Sequence, residues 1–437
     1  MKKIFLMIGL ISLFTVSCEF DEQVDPNNPS VNSVFNNASI TDLNLLVTGT
    51  AAQMRGGLEI YTTASGTIAR ELYKFDADPR NTEDLLGKEN ITLDANTFYL
   101  TGWYTPFYRT IKTANTLIEA ADGSSNINDN ERNGYKGFAN TIIAYQLMRS
   151  LAMLDCNGAR VDVANETNLG PFLDKSAAWS AVRAKFDEAS TQLGSATFLF
   201  SLSSGFAGYD TPATFNEFNR ALAARAALYA GDYAGALAEV NKSFLDVSAP
   251  LTNGPKHVFS AAGNDLLNPL FKTPGQSGDQ IIVHDDLLAD AEAGDARLSK
   301  FGERVNVTSQ DGLNGTHETR LYGSNVAPAD IIRNEELILI LAECSIQTGD
   351  IATAVSAINT IRNTHGIGNY LGDQTTEALI DEMLFQRRYS LWGEGHYMFD
   401  LRRYDRLNEN FLPIDRPGDD VWNNFPIPQT EDEPNKC

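Results

Sequence analysis

The densest concentration of reactive side chains lies in QRRYSLWGEGHYMFDLRRYDR, Gln386–Arg406. Arg387, Arg388, Glu394, His396, Asp400, Arg402 and Arg403 fall within it, and such a set could bind an anion or relay protons. The same residues could instead pair with one another as a half-buried network that locks the last helix onto its neighbours, and this structural reading is the favoured one. Metal chemistry has little support. The five histidines, His257, His284, His317, His365 and His396, show neither H-x3-H nor H-E-x-x-H spacing. Asp285-Asp286 and Asp419-Asp420 offer oxygen ligands without an EF-hand loop around them. No nucleophile elbow, P-loop or dinucleotide fingerprint stands in a strand–turn–helix context. No metal and no cofactor is expected.

Aromatic rings next to polar groups suggest a different chemistry. A ring face packs on the C–H face of a sugar, and neighbouring polar groups exchange hydrogen bonds with its hydroxyls. The candidates sit in segments without clear periodicity, where a scaffold displays loops. Tyr73, Phe75, Asp76, Asp78 and Arg80 lie in SGTIARELYKFDADPRN, Ser65–Asn81. Phe206, Tyr209 and Asp210 lie in the Ser/Gly-rich stretch Phe198–Thr214, and Tyr322 stands further on. Trp103 is a weaker candidate, because Trp103, Phe107, Ile111, Ala114, Leu117 and Ile118 form one apolar helical stripe. It reads as core.

The elements that must position these residues are helical. Helices are expected over Ser39–Gly56, Thr101–Ala121, Tyr135–Cys156, Ser176–Leu193 and Thr375–Trp392. A helix–turn–helix containing LAARAALYAGDYAGALAEVN, Leu222–Asn241, is echoed by ILAECSIQTGDIATAVSAIN, Ile340–Asn359. In both, Gly can end one helix in the left-handed conformation and Asp can cap the next. The match resembles a tetratricopeptide-type repeat, a unit that buries its apolar face only by stacking. The fold class expected is all-α. Its scaffold is tetratricopeptide-like, with helix pairs near 135–193, 217–245 and 330–362 and a C-terminal helix at 375–392. Residues 246–328 are rich in Gly, Pro, Asn and Asp and are expected to be irregular, with a few short strands or helices. The tail is extended and Pro-rich.

The formal net charge of −23 argues against nucleic-acid binding, which needs Lys and Arg to neutralise phosphate. Residues 1–17 read as a leader, with Lys2 and Lys3 ahead of the apolar run Ile4–Val16, which is too short to span a bilayer. Ser17-Cys18 resembles a lipobox, which makes Cys18 the expected lipidation site; ordinary secretion is the alternative. Residues 18–38 form a tether, and a single domain is expected from 39 to 437. Of the four cysteines, Cys156, Cys344 and Cys437 remain, and whether any two of them pair is open. Cys344 reads as a small core residue.

Several of these segments together are similar to the SusD/RagB family. Arg387, Arg388, Leu391, Glu394, Gly395, His396, Asp400, Leu401, Arg402 and Arg403 match its R-R-x-E-L-x-x-E-G-H-R-x-x-D-L-R-R signature, with Ser390 and Tyr397 departing from it. Phe425-Pro426-Ile427-Pro428-Gln429, with Glu431 and Asn435, resembles its closing motif. Trp103, Tyr108, Ile111 and Asn115 resemble its W-x-x-x-Y helix, and Asp295-Ala296-Arg297-Leu298 its D-P-R-L turn. The acidic Glu19-Phe20-Asp21-Glu22 resembles the surface-export signal of Bacteroidetes lipoproteins. The resemblance implies a non-catalytic lipoprotein on the outer-membrane face that captures oligosaccharide and passes it to a SusC-like TonB-dependent transporter. It also implies that the Arg-rich signature, being shared across different ligands, is structural. Capture of peptides by the same architecture, or a surface glycosidase using a carboxylate pair, are the alternatives.

Overall fold

A computed structural model describes residues 37–437. The expected leader, Cys18 and the tether up to residue 36 lie outside the described residues.

Helices begin where the sequence offers a capping group. Ser39 and Asp42 exchange side-chain and backbone hydrogen bonds to open α1 (Ile40–Gln53). α2 (Leu58–Ile68) follows Gly57. α3 spans Phe98–Gly123. Asn128 and Glu131 form a second capping box for α4 (Asp129–Leu154). Asp174 caps α5 (Lys175–Leu193), and Thr211 with Pro212 opens α6 (Pro212–Tyr229). α7 (Tyr233–Val240), α8 (Asp285–Ala289), α9 (Asn334–Thr348), α10 (Ile351–Thr364), α11 (Thr376–Ser390) and α12 (Tyr397–Arg403) complete the set. The two matched turns follow the same physics. Gly231 and Gly349 both have positive φ, at 78° and 84°. Asp232 then accepts the N–H of Gly235 at 2.9 Å, and Asp350 that of Thr353 at 3.2 Å.

The helices stack as a ladder in which α3 packs on α4, α4 on α5, α5 on α6, α6 on α7, α7 on α9, and α9 on both α10 and α11. Trp103, Phe107, Phe138, Phe215 and Phe218 lie in its largest buried cluster, so Trp103 is a core residue. A second cluster joins α9, α10 and α11 through Ile338, Ala342, Ile358 and Met383. Cys344 is buried and, among the described residues, unpaired, and burial raises its thiol pKa to about 12.

The chain is mainly helical, but the all-α expectation needs correction. A four-stranded antiparallel sheet stands beside the ladder in the order β1 (Leu72–Asp76), β2 (Asp279–Val283), β4 (Leu313–Thr319), β3 (Phe301–Gln310). β1 pairs with β2 from Leu72↔Val283 to Asp76↔Asp279. β3 and β4 form a hairpin whose two-residue turn, Asp311-Gly312, has positive φ at both positions. That turn matches the strand twist and favours this residue pair. Both faces of β1 are covered. Leu72, with Ile281 and Val283, meets Tyr389 and Trp392. Tyr73 and Phe75 meet Leu86, Ile282 and Leu313 on the other side.

The C-terminal signature binds the ladder together. Arg387 donates to Asp400 at 2.7 Å, and Asp400 also accepts from Arg403 at 2.8 Å. Arg403 reaches Glu343 on α9, and Glu394 pairs with Arg333. His396 Nδ1 lies 2.8 Å from the Tyr229 hydroxyl of α6, Arg402 pairs with Asp155 at 3.2 Å, and Arg388 with Asp290 at 3.0 Å. These side chains thus bridge α11 and α12 to α6, α9 and the C-terminal ends of α4 and α8. Arg388 also lines an open cleft with Asp290 and Tyr397.

The tail runs back across α3 and α4. Phe425 donates its N–H to the Met153 carbonyl at 3.0 Å, Asn157 holds the Phe425 carbonyl at 2.8 Å, and Glu431 accepts from Tyr104 at 2.7 Å and from Arg160 at 2.8 Å. Cys156 and Cys437 close this contact as a disulfide, which answers the pairing question left open by the sequence. The paired Cys156→Ser, Cys437→Ser variant is expected to lose about 2–4 kcal/mol, because the unfolded chain regains the freedom of a long loop. Denaturant midpoints of the oxidised protein and the variant test this. Equal midpoints would remove the disulfide from the stability account.

Candidate functional site

Alternation in Leu-Tyr-Lys-Phe-Asp decides which β1 side chains reach solvent. Successive residues of a strand point to opposite faces. Tyr73 and Phe75 turn inward, their rings stacked 5.8 Å apart, and the Tyr73 hydroxyl donates to Asp415 at 2.5 Å. Both are buried, which corrects the expectation that they offer open faces to a ligand. Lys74 and Asp76 turn the other way, into a cleft of 390 Å³. Asp78, Asn81, Phe98, Glu59, Thr63 and Asp279 line it with them.

The loop after β1 holds its own shape. Asp76 accepts from Asn81 at 3.0 Å and from the Asp78 N–H at 2.8 Å. Asp78 caps the short turn Pro79–Asn81 and pairs with Arg80 at 2.6 Å. Arg80 donates to Thr97 at 3.0 Å and places its guanidinium 5.0 Å from the centre of the Phe98 ring. Hydrogen bonding to Arg80 holds the Asp78 carboxyl below its ordinary pKa.

The opposite wall is a square of alternating charge. Lys74 pairs with Glu59 at 2.6 Å and with Asp279, while Lys272 reaches the same two acids at 2.6 and 2.9 Å. Burial would raise the pKa of Asp279, but the two ammonium groups outweigh it and the net shift is downward. Burial likewise works against the Lys74 charge, and Glu59 and Asp279 reverse that effect. The cleft therefore presents fixed acceptors, an ammonium, an amide and an aromatic edge. The lining carries more acids than lysines and disfavours anions. Hydroxyl groups, which donate and accept at once, suit it.

The remaining predicted residues lie elsewhere. Phe206 is buried against Phe215 and Phe218 at centroid distances of 6.0 and 5.6 Å, which corrects its reading as a ligand platform. Phe206 also borders a separate 480 Å³ cleft with Arg55 and His257. Tyr209 packs edge-on against Phe244 at 4.9 Å, and Asp210 is exposed beside it. Tyr322 packs against the Phe301–Trp392 cluster. The nine candidates therefore divide among three places, and of these only Asp76, Asp78 and Arg80 come together. Sequence reading missed Glu59, Thr63, Lys74, Asn81, Phe98, Lys272 and Asp279. Lys74 was recoverable, since a strand that turns Tyr73 and Phe75 to one face must turn Lys74 and Asp76 to the other.

A stacked helical ladder flanked by a small antiparallel sheet is the arrangement that superposes on solved SusD superfamily structures. Surface glycan-binding protein A from Bacteroides thetaiotaomicron superposes with a TM-score of 0.69 at 14% identity, over 91% of this chain and 97% of that one. The same protein in complex with laminarihexaose gives 0.69 at 14% identity, over 89% and 96% of the two chains. A SusD superfamily protein from Parabacteroides distasonis gives 0.68 at 14% identity, over 90% and 97%. Residues 300–436 match the SusD family profile, and the chain has the fold of solved SusD superfamily structures. No curated protein matches it. Among the described residues, no helix is long and apolar enough to cross a membrane.

Proposed function

We propose that the cleft at the end of β1 binds a neutral glycan without turning it over. The observation that carries this reading is the convergence of Asp76, Asp78, Asn81, Lys74 and Phe98 on one cleft in a SusD fold. The laminarihexaose complex of a relative with this fold supports it. A glycosidase would need a carboxylic acid holding a proton for the leaving group. Asp78 and Asp279 are instead tied to cations that favour their ionised forms. That favours binding over hydrolysis.

In this reading the helix ladder is a tetratricopeptide-like scaffold. Residues 1–17 are a leader, Cys18 carries lipid, and residues 18–38 tether a single domain to the outer surface of the outer membrane. Glycan then passes to a SusC-like TonB-dependent transporter. The Cys156–Cys437 disulfide suits an oxidising compartment outside the cytoplasm.

Affinity electrophoresis through gels containing laminarin, pullulan, xylan or galactomannan tests the proposal. At least one polymer is expected to retard the protein without yielding shorter products. Phe98→Ala should weaken that retardation about tenfold, equivalent to about 1.4 kcal/mol. Calorimetric affinity for peptides alone, with no retardation by any polymer, would replace the glycan by a peptide ligand.

A further inference from the structure

We infer that the chain carries a second carbohydrate-binding cleft, formed by α11, α12, α8 and the loop after α12. The cleft measures 580 Å³ and shares no lining residue with the one at β1. It continues into a 400 Å³ groove through the shared residues Asp290, Asp381 and Phe385, which gives it room for several sugar rings. The inference rests on the glycan reading above and extends it to a site of different construction.

Aromatic faces come first. Phe411 is 48% exposed, a large apolar ring held in the cleft wall where burial would ordinarily be favoured. Arg406 places its guanidinium 5.1 Å from the centre of that ring, and Arg388 stands 5.2 Å from the centre of Tyr397. Phe385 lines the passage between the two grooves.

Paired charges come second. Arg388 donates to Asp290 at 3.0 Å, and Arg406 pairs with Asp381. Both aspartates are half exposed, so each pair shows the cleft a carboxylate acceptor beside guanidinium donors. The charges within each pair offset one another, and Asp286 adds a further acid. An anionic ligand is therefore disfavoured. A vicinal diol, which donates from one oxygen and accepts at the other, fits each pair.

A third feature is independent of these. The Nε–H of Arg388 is buried and, among the described residues, has no hydrogen-bond partner. A buried donor left unpaired costs about 1–3 kcal/mol. Arg388 lines the cleft, and a shift of its side chain on ligand binding would bring this donor to a ligand oxygen or bridging water.

The test uses the full mature chain in the same four polysaccharide gels, with calorimetry on a hexasaccharide of whichever polymer retards it. Two binding events per chain are expected. Phe411→Ala and Asp381→Asn should each remove one event and weaken retardation several-fold, with the thermal midpoint unchanged. Phe98→Ala should weaken the other event about tenfold, and Phe98→Ala with Phe411→Ala should bring retardation close to zero. A single event per chain, unaffected by Phe411→Ala and Asp381→Asn, overturns the second cleft and leaves the first standing. Loss of all binding in Phe411→Ala, with none in Phe98→Ala, supports this cleft and overturns the site at β1. No retardation by any polymer overturns both.

Discussion

Asp400→Ala is expected to destabilise the protein by about 3–5 kcal/mol, the usual effect of removing one partner from a buried ion pair. Asp400 is almost fully buried and stands between two guanidinium groups, Arg387 at 2.7 Å and Arg403 at 2.8 Å. Burial alone would push its pKa up, but the two arginines outweigh that and hold it down. Arg403 retains Glu343 after the substitution. Arg387 does not: its two terminal nitrogens are already unpartnered among the described residues, and its Nε would lose Asp400. The result would be an uncompensated charge in the interior between α11 and α12. Asp400→Asn keeps an acceptor while losing the charge, and should fall between alanine and wild type. Denaturant midpoints of the three proteins give the answer. A loss below about 1 kcal/mol for alanine would mean that the signature does not hold these helices in place.

Glu71→Gln is expected to act in the opposite direction, and only at higher pH. Burial raises the Glu71 carboxyl from 4.5 to about 8. Its Oε1 accepts the Gly393 N–H at 3.3 Å, while Oε2 has no partner among the described residues. The folded protein therefore keeps a proton on Glu71 that the unfolded chain releases above pH 4.5. The associated stability is complete below pH 4.5, declines as the pH rises, and is gone above pH 8. Glutamine mimics the protonated side chain at every pH. The variant should match wild type near pH 4 and exceed it well above pH 8 by on the order of 5 kcal/mol. A gap that does not change between pH 4 and pH 9 would assign the titration to another group. Glu336 shapes the acidic limb. Burial would raise its pKa, but Arg225 at 2.6 Å outweighs that and brings it down from 4.5 to about 2. The stability from this pair is present above pH 4.5 and fades as the pH falls toward 2.

The ladder was legible in the sequence because its rules are local. Gly231-Asp232 and Gly349-Asp350 each end one helix and cap the next within three residues, so both turns are written in adjacent side chains. The stripe through Trp103 and Phe107 is likewise confined to one helix. The sheet was not legible, because it joins segments far apart in the chain. β1 is too short to show more than two alternations, and its partner β2 lies beyond five helices. β3 concealed itself differently. It is an edge strand with Val305 and Val307 exposed, so its apolar residues do not mark a buried face. The candidate site suffered for the same reason. Asp76, Asp78 and Arg80 were visible as a local cluster, but Glu59, Lys272 and Asp279 enter from other segments. Tyr73 and Phe75 looked like ligand platforms only while β1 was unrecognised. Once the strand alternates, their rings belong inside and Lys74 moves to the cleft.

The bond between Cys156 and Cys437, 281 positions apart in sequence, changes what kind of polymer this is. With it intact, the denatured chain is a lasso: one large ring preceded by a free arm that contains α1 to α4. A ring has a smaller hydrodynamic radius than the open strand of the same mass, so the oxidised protein should migrate ahead of its reduced form in a denaturing gel. Tension applied through the arm straightens the arm and the closing bond, while α5 to α12, held within the ring, bear none of the load in series.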